Sequence, residues 1–152
     1  MPNTVDTVDT MTIDLIAGAR PNFMKIAPIV EALRAAEACG GRLRYRIVHT
    51  GQHYDRNMSG AFFEDLGIPE PDVNFGVGSG TQAEQTGGIM RAYEKLLGGG
   101  GSDLCVVVGD VTSTMACAIT AKKMWVLVAH VEAGIRSGLR PRCSAPDYPP
   151  SA

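Results

Sequence analysis

The sequence has no long apolar run. Its hydrophobic stretches are short and bounded by charge, which excludes a membrane-spanning helix. It also has no excess of positive charge. A net charge of -2, with 20% charged and 45% hydrophobic residues, describes an ordinary globular chain and not a nucleic-acid-binding surface. The opening stretch, MPNTVDTVDT, lacks the basic start and apolar centre of a signal peptide and reads as a disordered leader, with Met11 a candidate functional start. No CxxC pair occurs. Cys39, Cys105, Cys117 and Cys143 are scattered, so a disulfide framework is not expected and the cytoplasm is the expected compartment. His49 and His53 straddle a strand end and a loop; they do not share a helical face, and no metal site is expected there.

What is present is an alternation of strand-like and helix-like segments, long enough for one buried core. Strands are expected at Thr12–Ala17, Leu43–His49, weakly at Val73–Phe75, at Leu104–Val108 and at Trp125–His130. Between them, Ile26, Ile29, Val30 and Leu33 make the apolar stripe of a helix within Asn22–Cys39, started or bent at Pro28 and stopped by Gly40 and Gly41. Asp55 is a candidate cap for a helix reaching Leu66. Thr81 and Glu84 form a T-x-x-E capping box that opens a third helix to about Leu97, after which Gly98 to Gly101 read as a flexible turn. A fourth helix is expected over residues 112–123. The order βαβαβαβαβ predicts an α/β fold, a Rossmann-like parallel sheet with helices on both faces.

In such sheets ligands bind beyond the carboxyl ends of the strands. The first strand ends in Gly18-Ala19-Arg20, with Lys25 one turn further on; the fourth ends in Gly109-Asp110 and the fifth in His130-Val131-Glu132. If these strands are neighbours, two cations and two carboxylates share one crevice, which suits a phosphorylated substrate whose carbon chemistry needs proton transfer. Cations at a helix start oppose its dipole, which an anionic ligand would offset. Asp110 could equally serve as a helix cap, and Glu132 could pair with Arg136. Gly78-x-Gly80-x-x-Ala83 fits a dinucleotide fingerprint but follows a weak strand, while the first turn, GARPNF, contains no GxG; a nicotinamide cofactor is therefore not expected.

The segments GARPNFMKIAP, TGQHYDRNM, GSGTQAEQTG, VVVGDVTSTMA and HVEAGIRSG, in this order and spacing, resemble the N-terminal domain of the non-hydrolysing UDP-N-acetylglucosamine 2-epimerases from about Thr12 to Gly138. The resemblance implies the N-terminal half of a two-domain enzyme of GT-B type, cytoplasmic and homodimeric, that interconverts UDP-N-acetylglucosamine and UDP-N-acetylmannosamine. It implies no cofactor and no metal. It also implies catalytic roles for Asp110 and Glu132, and substrate contacts from Arg20 and Lys25. Gln52 and His53 match a QH motif that in some members helps to bind a second, regulatory nucleotide sugar, although Asp55 stands where a partner glutamine is expected.

After HVEAGIRSG the family continues into a P-E-E-x-N-R motif, whereas here LRPRCSAPDYPPSA follows. The expected organisation is a leader over 1–11, the epimerase unit over 12–138 and an aberrant proline-rich tail over 139–152, with the second domain missing and the chain inactive alone. Two alternatives remain at this level: a hydrolysing relative that releases free N-acetylmannosamine, and a non-catalytic fragment that acts as a binding or dimerisation module.

Overall fold

A computed structural model of the chain describes residues 10–51 and 60–134. Five strands, β1 (Met11–Ala17), β2 (Leu43–His49), β3 (Val73–Asn74), β4 (Leu104–Val108) and β5 (Leu127–Val131), alternate with α1 (Arg20–Ala38), α2 (Gly60–Asp65), α3 (Gln82–Gly100) and α4 (Thr112–Lys123). All pairings are parallel and the strand order is β3-β2-β1-β4-β5. The chain thus builds the sheet outward from β1 in one direction, then returns to β4 on the other side. The β1/β4 boundary is the topological switch point where ligands of such sheets gather.

β1 is apolar on both faces apart from Thr12 and Asp14, as a central strand covered on both sides requires. Ile13, Leu15 and Ala17 pack with Phe23, Ile26 and Val30 of α1 and with Phe62 and Phe63 of α2. The opposite layer joins Ile16, Val48 and Val107 to Ile89, Tyr93 and Leu97 of α3 and to Ala116, Cys117 and Ala121 of α4. Burial pushes the Cys105 thiol up to about 12 and raises that of Cys117 as well. Both thiols therefore behave as small hydrophobes of the second layer.

The expected strands β2 and β4 and the fourth helix appear with the predicted limits. Pro28 lies inside α1 on an exposed position, and the helix begins before it, at Arg20, with Pro21 in its first turn. The capping box is present: the Glu84 amide donates to Thr81 Oγ1 (3.2 Å) and Thr81 N–H donates to Glu84 Oε2 (2.8 Å). Asp55 lies outside the described residues.

Two expectations are corrected. Gly98, Gly99 and Gly100 are the last turn of α3, not a loop. Only Gly101, at φ 37°, leaves the helix, and its N–H still donates to Leu97 O. The helical ladder outweighs the weak propensity of three glycines because Leu97 is anchored in the core. Trp125 is not in β5: it sits at φ 63°, is 93% exposed, and belongs to the turn between α4 and β5. The strand begins only where Leu127 pairs with Leu104.

Candidate active site

The turn from β1 into α1 is organised by Asn22. Its buried side chain accepts from the N–H groups of Gly18 (3.3 Å) and Ala19 (2.9 Å) and donates to the carbonyl of Val108 on β4 (3.2 Å). One side chain thereby ties the switch-point turn to the end of the neighbouring strand. Gly18 is required here by contact: a Cβ would stand 2.0 Å from Ser113 Oγ. Sequence reading gave Asn22 no role, and its place between an arginine-proline pair and an apolar helix stripe offers no signal for one.

Beyond the C-terminal ends of β4 and β5 lies a cleft of about 290 Å³ lined by Lys25, Gly109, Asp110, His130, Glu132 and Gly134. Lys25 Nζ forms an ion pair with Glu132 Oε2 across the cleft. Both groups are about one-third exposed, so the pair is worth little as a stabilising contact. Glu132 occupies the left-handed region at φ 63°, costly for a residue with a Cβ, and Gly109 does so at φ 70°. Backbone strain at a cleft carboxylate is the pattern of a site that fixes a side chain at some cost to stability. Asp110 is exposed and does not cap α4, whose N-cap is Val111 and carries no side-chain cap bond. The capping alternative for Asp110 is therefore not realised.

Of the residues picked out by sequence, Lys25, Asp110 and Glu132 meet around this cleft. Arg20 does not line it: as the first residue of α1 its guanidinium lies over the ring of Phe62, 4.6 Å from the centroid. The expected crevice of two cations and two carboxylates is thus seen with one of its four members turned onto α2. Gln52, His53 and Arg136 lie outside the described residues. The glycine-rich stretch from Gly78 precedes α3 after the two-residue edge strand β3, where Thr81 acts as helix cap. His130 was passed over by sequence reasoning as a site residue, although its place two residues before Glu132 on a strand end was the available signal.

A parallel α/β unit with a cleft of one lysine and two carboxylates beyond its strand ends belongs to the Rossmann-like class of enzyme domains. A family model described as UDP-N-acetylglucosamine 2-epimerase matches residues 36–142. The chain is 42% identical over 127 residues to UDP-N-acetylglucosamine 2-epimerase of Methanocaldococcus jannaschii, covering 84% of this chain and 33% of that protein. It is also 42% identical over 127 residues to UDP-2,3-diacetamido-2,3-dideoxy-D-glucuronate 2-epimerase of Pseudomonas aeruginosa, covering 84% and 35%. The crystal structure of the M. jannaschii epimerase in complex with UDP-N-acetylglucosamine and UDP superposes with a TM-score of 0.75 at 42% identity, covering 84% of this chain and 34% of that one. The chain belongs to the UDP-N-acetylglucosamine 2-epimerase family. It spans about a third of the length of these relatives.

Proposed function

We propose that this unit supplies the acid–base wall of a nucleotide-sugar 2-epimerase acting on UDP-N-acetylglucosamine and UDP-N-acetylmannosamine. The observation that carries the reading is the convergence of Lys25, Asp110 and Glu132 on one cleft at the ends of β4 and β5. Inversion at C2 of a 2-acetamido sugar requires a proton to leave that carbon and another to arrive on the opposite face. In the proposed path a carboxylate takes the C2 proton while the C1–O bond to UDP breaks. The products are 2-acetamidoglucal and UDP. Protonation of C2 from the other face and return of the UDP oxygen to C1 give the epimer. No net electron transfer occurs, so the reaction requires no redox cofactor.

Asp110 and Glu132 are the proposed acid and base, and Arg20 and Lys25 the proposed diphosphate contacts. A diphosphate entering the cleft competes with Glu132 for the Lys25 ammonium, and drawing Lys25 away leaves Glu132 free to accept a proton. Arg20 reaches the same ligand by leaving the Phe62 ring, a contact worth only about 0.5–1 kcal/mol at an exposed site. Gln52 and His53 remain proposed substrate or regulatory contacts, a cytoplasmic homodimer the proposed assembly, and 12–138 the proposed extent of the unit within a GT-B enzyme. Both relatives are named as epimerases, which gives the hydrolysing alternative no support. Equal identity to the P. aeruginosa enzyme supports a second substrate reading, a UDP-2,3-diacetamido uronate.

The test is a chimera joining residues 1–138 to the remainder of the M. jannaschii relative, followed by proton NMR with each UDP sugar in deuterated water. Epimerisation with deuterium entering C2 is expected. Turnover of only the diacetamido uronate would favour the second reading, and no exchange at C2 with either sugar would overturn the proposal.

A further inference from the structure

Gly109 follows β4 and immediately precedes Asp110, and both of its backbone groups are taken by β5. Its N–H donates to the carbonyl of Val131 (3.0 Å). Its carbonyl lies 2.6 Å from Nε2 of His130. A carbonyl only accepts, so Nε2 carries the proton, and His130 in its neutral form is the Nε2–H tautomer. Strand register explains why a side chain is needed. Val107 pairs with His130 and Val108 with Val131, but at φ 70° Gly109 turns out of the ladder, and its carbonyl points where no strand amide follows. The peptide whose oxygen His130 holds is the one whose nitrogen belongs to Asp110. Because that unit is planar, fixing the oxygen fixes the plane from which the Asp110 side chain departs.

A second donor stands close by. Lys25 Nζ stands beside the same residue, 3.8 Å from where a Cβ on Gly109 would be, and its ammonium is paired with Glu132.

We infer that His130 is a positioning residue, whose Nε2–H holds the Gly109 carbonyl, fixes the peptide that carries Asp110, and leaves the Lys25 ammonium to Glu132. The inference rests on the acid–base roles proposed for Asp110 and Glu132. Protonation at Nδ1 leaves Nε2–H in place, so the contact persists in both charge states of the ring.

The experiment uses the full 152-residue chain labelled with nitrogen-15 and carbon-13. Ring nitrogen shifts of the wild type at pH 8 are expected to show His130 as the Nε2–H tautomer; the Nδ1–H form would overturn the inference without any variant. In His130→Ala the Asp110 amide and the Glu132 side-chain carboxyl resonances are expected to move. His130→Gln, whose amide nitrogen replaces the lost donor, is expected to restore them. Unmoved resonances in His130→Ala, or no restoration in His130→Gln, would each overturn it. Turnover of the chimera separates the two levels. No C2 exchange in the chimera, with the predicted tautomer and shifts intact in the chain, would count against the functional reading while leaving the positioning contact established.

Discussion

Three of the charged side chains that matter here were readable from sequence because they sit at strand ends or in the helix turn that follows one. Asp110 and Glu132 follow the strands β4 and β5, Lys25 lies early in α1 after β1, and strand ends are where such sheets gather chemistry. In the chimera, Asp110→Asn and Glu132→Gln are each expected to lower kcat by about a hundredfold or more, the usual scale for a lost acid or base, with KM much less affected. Near-normal kcat in both would remove the acid–base assignment. Arg20→Ala is expected to weaken UDP binding by about 1.5–3 kcal/mol and to lower stability by no more than the Phe62 contact is worth, about 1 kcal/mol. Calorimetry and thermal melts measure the two effects separately, and a large stability loss with intact UDP affinity would make Arg20 structural. His49 is a residue whose importance the sequence concealed. It is buried at the end of β2, its ring 5.4 Å from that of Phe23, and burial pushes its imidazole below the ordinary value of 6.5. The unfolded chain then binds more protons than the folded one once pH falls through 6.5. Stability is complete above that value and declines as pH falls toward the folded pKa. Urea melts from pH 8 to pH 5 are expected to show this decline, flattened in His49→Phe; an equal slope in that variant would assign the acid sensitivity elsewhere.

The elements most legible in the sequence were those with an alternating or continuous apolar pattern or an explicit cap, β2, β4 and α3 among them. The misread ones, Gly98–Gly100 and Trp125, follow propensities that packing and register override. The feature between elements that the sequence hid most completely is the charge buried beneath α3. Asp14, in the middle of β1 and fully buried, pairs with Arg46 of β2 and accepts from the hydroxyl of Tyr93 (3.0 Å) on α3. Nothing in the sequence marks Asp14 or selects Arg46 from the two arginines of β2 as its partner; only the parallel register, with Asp14 opposite Arg46, joins them. Burial raises the Tyr93 phenol above its ordinary value, with Cys105 and Asp14 adding to the effect, so the hydroxyl keeps its proton and acts as donor. Tyr93→Phe removes one of several bonds to the carboxylate and is expected to cost about 1.5–3 kcal/mol. Arg46→Ala leaves the carboxylate without its cation and is expected to cost about 3–5 kcal/mol. Denaturant melts that rank the two in the opposite order would show that the phenol, not the guanidinium, compensates Asp14.

At the scale of the molecule, the five-stranded sheet does one thing for function: it brings the ends of β1, β4 and β5 side by side and leaves Lys25, Asp110, His130 and Glu132 around one cleft. Among the described residues no helix is long and apolar enough to cross a membrane. Nothing in the sequence alone fixed how the four side chains divide their contacts, because the Lys25–Glu132 pair and the His130 hold on Gly109 both depend on two left-handed residues, Gly109 and Glu132. The cleft is open to water and the chain spans a third of the relatives it matches, so the 152-residue polypeptide by itself is expected not to exchange the C2 proton of UDP-N-acetylglucosamine. Its affinity for UDP is expected to be about millimolar or weaker, since few groups offset the cost of immobilising the nucleotide. Weak binding still leaves a map. The most direct measurement is a UDP titration of the labelled chain followed through its amide and side-chain resonances. The account predicts that the largest changes fall on the Gly18–Lys25 turn, on Gly109 and Asp110, and on His130 and Glu132. Saturable changes centred instead on the apolar groove between α3 and β3, around Arg46, Phe75 and Leu96, would contradict it.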